Sequence, residues 1–252
     1  MVVGLIGSGN VARALARGWA EPILCTDSGS GRAAALAEEL GGEALSSNAE
    51  VAERADLVVL CHKPHQLRAV AGEIAGTAKA VASILGATSI SDLEAAYPGT
   101  PVFRLMPNTP VEVRQGVVCY APAPDVDPEA EREMLELFGR VATVVELPEE
   151  RMDVATSVMG VGPAYLALVV EAQVDAAVKR GLPAGQAAAL AVSTMSGTAA
   201  LLAARGHDTL TVRREVTSPG GSTARGLAAL ESAGLRAAFA DALDAVLTPP
   251  AP

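Results

Sequence analysis

The sequence predicts an α/β fold: a doubly wound, mainly parallel sheet over residues 1–150, followed by an all-helical domain over 151–252. Three observations predict it. Strand-like and helix-like segments alternate as far as residue 147, and repeated βα alternation builds a parallel sheet. The alternation stops near Pro148-Glu-Glu-Arg151, beyond which no segment carries a strand pattern. At the start of the chain, a short apolar strand runs straight into Gly7-Ser-Gly9 and then into helical spacing.

Taken in order, Val2, Val3, Leu5 and Ile6 make the first strand. Asn10 to Trp19 is a helix, because Val11, Leu15 and Trp19 recur four apart on one face. Residues 23–26 are a second strand ending at Asp27. An Ala/Leu/Glu helix over 32–40 is closed by Gly41-Gly42, and a short helix over 48–55 takes Asn48 as its N-cap. Strand 56–61, the loop His62-Lys63-Pro64, helix 65–75, strand 80–85, the turn Gly86-Ala87 and helix 91–96 follow. Strand 101–105 runs into Met106-Pro-Asn-Thr-Pro110, then come strand 115–121, helix 128–139 and strand 141–147. Ligands bind such sheets beyond the carboxyl ends of the strands. The loops at 7–12, 27–32, 62–65, 86–88 and 106–110 are therefore expected to line one crevice.

Past Arg151 the apolar spacing is helical throughout. Residues 152–180 read as one helix or two, interrupted around Gly160-Val-Gly-Pro163. Gly181-Leu-Pro183 starts another that reaches Arg205, and a short segment at 208–216 leads to the loop Thr217–Thr223. Helices 224–232 and 235–247 complete the chain, with Thr248-Pro-Pro-Ala-Pro252 fraying off the end. These helices are apolar on several faces and need a cover. A second copy of the chain supplies one, which predicts a homodimer. A bundle packed on the first domain is the alternative.

Composition narrows the function. The formal net charge is −10 with no basic stripe, which argues against nucleic acid. Cys25, Cys61 and Cys119 show no framework spacing and suggest reduced thiols in a cytoplasmic protein. No secretion signal and no run of 18 uninterrupted apolar residues are seen, so no membrane partner is expected.

The first turn has the form G-x-G-x-x-A in its proper setting of strand, turn and helix. Gly7 allows the turn, Gly9 bares backbone to a pyrophosphate, and Ala12 keeps the helix close to the strand. The amides after Ser8 and Gly9, at Asn10, Val11 and Ala12, would face the anion. Which nicotinamide cofactor binds is left open by the residues. Asp27 suits the ribose hydroxyl of NADH, whereas Ser28, Ser30 and Arg32 suit the 2′-phosphate of NADPH. Asp27 has a third option, as a helix-capping group.

A second glycine loop, Thr217-Ser-Pro-Gly-Gly-Ser-Thr223, precedes the helical run from Ala224. Backbone amides and hydroxyls there make a nest for an anion such as a substrate carboxylate. The ordinary alternative is a turn capped by Ser222 or Thr223.

Here a resemblance appears. Val216-Thr-Ser-Pro-Gly-Gly-Ser-Thr-Ala-Arg-Gly-Leu-Ala-Ala-Leu-Glu231 resembles the signature of pyrroline-5-carboxylate reductases. Similar blocks occur in order at Leu5–Ala12, Lys63-Pro64, Arg104-Leu-Met-Pro-Asn-Thr-Pro110, Gly162-Pro-Ala-Tyr165 and Lys179-Arg-Gly-Leu-Pro183. The resemblance implies a Rossmann-type domain, a helical dimerisation domain and often a ring of dimers, here a pentamer of dimers. It implies NADPH or NADH as cofactor and reduction of L-1-pyrroline-5-carboxylate to L-proline. It also implies a substrate carboxylate on Ser218, Gly220, Gly221 and Ser222, with the Thr223 hydroxyl near the imine nitrogen. Asn48, Lys63, Pro64 and Asn108 join the expected cofactor site.

The chain departs from the family pattern in places. Val161 stands where a serine is usual, Cys61-His62 precede Lys63, and Leu85-Gly86-Ala87 replaces the usual Ala-Gly. His62 and His65 flank a proline without an acidic cluster, so no metal is expected. A hydroxyacid dehydrogenase would need a lysine on the first long helix of the second domain, and 164–178 contains none. A cofactor-binding sensor without catalysis is the rival from another class.

Overall fold

The computed structural model describes residues 1–124 and 126–248, so the expected fraying of 249–252 lies outside the described residues. Packing divides the chain into two units, Met1–Pro163 and Ala164–Pro252.

The first unit alternates β1 (Val3–Ile6), α1 (Asn10–Trp19), β2 (Leu24–Thr26), α2 (Arg32–Leu40), β3 (Glu43–Ala44), α3 (Asn48–Arg54) and β4 (Leu57–Leu60). It continues through α4 (Leu67–Ile74), β5 (Val81–Ser83), α5 (Ile90–Ala96), β6 (Val102–Pro107), β7 (Gly116–Ala121), α6 (Pro128–Gly139), β8 (Ala142–Glu146) and α7 (Met152–Met159). The strands form one sheet in the order β3-β2-β1-β4-β5-β6-β7-β8. Every neighbouring pair is parallel except β6 and β7. The connections reverse direction between β1 and β4, and the loops after those two strands part there to open a crevice.

Both faces of the central strands β1 and β4 are buried, which is why they read as continuous apolar runs. Side chains alternate strictly between the faces. Leu5, Val59, Phe103 and Tyr120 join Leu15, Trp19 and Phe138 in one apolar layer. Ile6, Val58 and Leu60 join Val51, Ile74 and Tyr97 in the other. Trp19 anchors the first layer: its Nε1 donates to the Leu137 carbonyl at 3.1 Å, and its ring meets Phe138 edge-on with centroids 5.5 Å apart.

Three local features differ from expectation. The edge strand β3 is absent from the sequence reading, because two exposed residues carry no hydrophobic pattern. The cap of α3 is Ser47, whose hydroxyl accepts from the Glu50 amide at 3.2 Å, not Asn48. By packing, the first unit runs on to Pro163, past the expected boundary at 150, since Met152 and Met159 of α7 bury among Ile90, Cys119 and Ala121.

The second unit holds α8 (Gly162–Val178, which begins in the first), α9 (Ala184–Ala204), α10 (Thr209–Glu215), α11 (Ser222–Ser232) and α12 (Leu235–Leu247). Helices α8, α11 and α12 bury no residue, and α9 buries only Ala187 and Ala191. Leu166, Leu168, Leu190, Val192, Leu230 and Phe239 are exposed. The stretch Glu149–Val178 and α9 are long and apolar enough to cross a membrane by length and composition.

Candidate functional site

The crevice beyond β1, β2 and β4 has a volume of about 630 Å³ and is lined by the glycine turn, the Thr26–Arg32 segment, Asn48, the Cys61–Lys63 segment and one face of α4. Gly7 holds φ +101°, and a Cβ there would lie 2.8 Å from the Cys61 carbonyl carbon and oxygen. Only glycine lets this turn close onto the end of β4. Gly9 is different. A Cβ there would meet no protein atom within 4 Å, so nothing in the chain itself demands glycine. The space it leaves adjoins the start of α1, which has no side-chain cap and no acidic residue in its first turn. Free amides, a positive helix end and an open cradle fit a dinucleotide pyrophosphate.

Asn10 lines the crevice, while Val11 is half-buried against the core and Ala12 is buried in it. The last two offer the crevice only their backbone. The Ser8 hydroxyl is committed to the Thr26 carbonyl at 3.1 Å. From Thr26 a chain of bonds crosses the crevice wall: its hydroxyl donates to Asn48 Oδ1 at 2.7 Å, and Asn48 Nδ2 donates to Glu73 Oε2 at 2.8 Å. Relieved of capping by Ser47, Asn48 is free to make this link.

Asp27 and Ser28 line the crevice with Ser30 and Arg32. The Asp27 carboxylate turns into its own loop. Hydrogen bonds from the amide of Ala33, the hydroxyl of Ser30 and the amide of Gly29 hold its pKa down to about 2. Lys63 is exposed at the rim, its amide donating to Gln66 Oε1 at 3.0 Å. Pro64 opens the short 3-10 turn Pro64–Gln66 and does not itself line the crevice. Beside them His62 donates from Nδ1 to the Lys63 carbonyl at 2.9 Å, and burial pushes its pKa below 6.5. The ring is therefore neutral near pH 7.

Two expected parts of the crevice lie elsewhere. The loops 86–88 and 106–110 do not line it. Asn108 is buried, with Nδ2 donating to the Met159 carbonyl at 3.1 Å and Oδ1 accepting from the Val117 amide at 2.8 Å. Its side chain ties the end of β6 to β7 and α7, which corrects its assignment to the cofactor site. Conversely, Gln66, Ala69, Val70 and Glu73 do line the crevice. Their i, i+3, i+4, i+7 spacing marks one helical face, and that signal was available in the sequence.

In the second unit α11 starts at Ser222, two residues before the expected 224. Neither Ser222 nor Thr223 caps it. The N-cap is Gly221, and no side chain accepts from the first-turn amides. Gly221 packs so closely on Ser218 that a Cβ would lie 2.3 Å from the Ser218 hydroxyl. Its amide donates to the Ser218 carbonyl at 3.0 Å, and Arg225 Nη1 donates to the Gly220 carbonyl at 2.8 Å. The peptide between Gly220 and Gly221 is thus held at both ends. Thr223 is half-buried in the first turn of the helix. Sequence reasoning passed over Arg225, whose distinguishing feature is a backbone contact.

Comparison with known proteins bears on both units. A family profile described as "Pyrroline-5-carboxylate reductase dimerisation" matches residues 149–249. Another, "NADP oxidoreductase coenzyme F420-dependent", matches residues 2–86. A pyrroline-5-carboxylate reductase of Synechocystis sp. is 38% identical over 200 residues, covering 79% of this chain and 75% of its own length. That of Corynebacterium melassecola is 34% identical over 250 residues, covering 94% and 93%. The crystal structure of Plasmodium falciparum pyrroline carboxylate reductase with NADP bound superposes with a TM-score of 0.86 at 28% identity, covering 98% of this chain and 95% of that one. The chain belongs to the pyrroline-5-carboxylate reductase family and is an NAD(P)H-dependent oxidoreductase of the C–N imine bond.

Proposed function

We propose that this chain reduces L-1-pyrroline-5-carboxylate to L-proline, the last step of proline biosynthesis, with NADPH or NADH as cofactor. The observation that carries the reading is the uncapped start of α11 in the 217–223 loop, inside the 149–249 family match. The amides of Ser222 and Thr223, with the Ser218 hydroxyl and the Gly220-Gly221 backbone, would hold the substrate carboxylate. The Thr223 hydroxyl would donate to the imine nitrogen, and the imine carbon accepts hydride best when that nitrogen, which takes the C=N π pair, is protonated or strongly hydrogen-bonded. The bound nicotinamide supplies the hydride, and solvent supplies the proton that nitrogen takes up. The cofactor site comprises Gly7, Ser8, Gly9, Asn10, Val11, Ala12, Asn48 and Lys63, with Asp27, Ser28 and Arg32 at its outer end. Most of the acceleration on this reading is positioning.

The exposed apolar faces of α8, α9, α11 and α12 favour a homodimer as the unit of assembly, with a pentamer of dimers as the larger form. The free thiols of Cys25, Cys61 and Cys119 favour the cytoplasm. The deciding experiment follows NADPH and NADH oxidation with pyrroline-5-carboxylate by the wild-type chain. Turnover with either cofactor is expected, and none with either would refute the proposal. Light scattering of the same sample tests the assembly, a monomer being the contrary result.

A further inference from the structure

His62 stands at a position where the chain departs from the family pattern, and its ring lines the crevice beside the end of β4. The loop that carries it touches the glycine turn, since a Cβ on Gly7 would lie 2.8 Å from the His62 amide nitrogen. Nδ1 donates to the Lys63 carbonyl at 2.9 Å, so in the neutral ring Nε2 is an acceptor. Nε2 is buried and has no hydrogen-bond partner among the described residues. A polar atom left unpaired in a crevice wall is a place where a ligand can supply the partner.

The surroundings keep the empty ring neutral. Burial is the main cause, and the charge of His65 acts the same way. Lys63 and Arg32, which also line the crevice, and the positive end of α1 oppose a further positive charge. The two acids of the wall are engaged elsewhere, Asp27 by its own loop and Glu73 by Asn48. An anion seated at Gly9 reverses the local field and favours the charged ring. Among the side chains of the wall, only an imidazole ordinarily titrates between about pH 5 and 8. Burial pushes the Cys61 thiol up, further from that range.

We propose that a pyrophosphate bound at the glycine turn draws a proton from solvent onto His62 Nε2 and becomes its hydrogen-bond acceptor, so that dinucleotide binding takes up a proton and tightens as pH falls. The proposal rests on the crevice being the dinucleotide site. The proton returns to solvent when the ligand leaves. Because the protonated ring is favoured only in the complex, affinity rises as pH falls through the pKa of the complex and levels off below that of the empty chain.

The test is calorimetric titration with ADP-ribose, which cannot turn over and whose pyrophosphate keeps its charge from pH 6 to 8. Titrations at pH 7 in buffers of different ionisation enthalpy count the protons taken up. Wild type is expected to take up about half a proton per ligand at pH 7, and its dissociation constant should fall about tenfold from pH 8 to pH 6. His62→Val and His62→Gln should bind without proton uptake and with an affinity that is flat across that range. A merely structural role for the ring would weaken binding in the variants and leave its pH dependence in place. Binding by wild type without proton uptake, or with proton release, would overturn the proposal alone. So would uptake that persisted in both variants, since another group would then carry the proton. Failure of wild type to bind ADP-ribose would overturn the crevice assignment with it.

Discussion

Arg104 Nη1 lies 2.5 Å from Glu149 Oε1, and the same oxygen accepts from the Ile90 amide at 2.6 Å. The guanidinium is buried, with 8% of its side chain exposed, whereas Glu149 is 34% exposed. One carboxylate therefore holds β6, the start of α5 and the entry to α7. Glu149→Ala strands a buried cation. The expected cost is about 2 kcal/mol, below the figure for a fully buried pair because water reaches Glu149. A lower urea midpoint at unchanged m-value is the expected reading, and an unmoved midpoint contradicts the role.

Gly7→Ala and Gly9→Ala are expected to behave oppositely. The first forces an alanine to φ +101° against the Cys61 carbonyl, and destabilisation of more than about 1 kcal/mol is expected. The second has room within the protein, so the melting temperature should hold while the dinucleotide dissociation constant rises at least about tenfold. Melting curves and a binding titration on the two variants separate a glycine needed by the fold from one needed by the ligand.

Thr223→Ala should lower kcat about ten- to a hundredfold, the range for loss of a hydrogen bond to a developing charge, with NADPH affinity unchanged. A wild-type rate removes Thr223 from the mechanism. Arg225→Ala acts through the Gly220 carbonyl, so it should raise KM for the imine substrate more than it lowers kcat. Arg225→Lys should recover part of the loss, since it restores one donor. Steady-state kinetics with each substrate varied in turn distinguish the two residues.

Asp27 predicts an acid limit. Its pKa is about 2 in the folded chain against an ordinary 3.8, so its bonds add stability above the unfolded value. That stability is lost as pH falls from about 4 through about 2. The gap in melting temperature between wild type and Asp27→Asn should be constant from pH 7 to 5 and close below pH 4. A gap that persisted at pH 2 would show that the charge is not its source.

The sheet was legible because fully buried parallel strands leave continuous apolar runs, as at 57–60. Edge strand β3 was not, since its two residues are exposed. The glycine turn could be read from its spacing, but the partners of Asp27 and Asn108 could not. Both are polar residues at loop positions where sequence allows a ligand or a backbone amide equally. Asn108 takes the carbonyl of Met159, 51 residues away, a pairing that no local pattern encodes. The start of α11 was misjudged by two residues, because its N-cap is a glycine with no side chain to announce it.

The self-contained bonding of Asp27 also limits how the chain can be altered. Its four acceptor sites are filled by Gly29, Ser30 and Ala33, which leaves none for a donor in the crevice. A carboxylate able to read such a donor would have to be introduced at a neighbouring position, such as Ser28 on the crevice wall. The acid already in place must stay where it is, or the turn that would carry its replacement loses its shape.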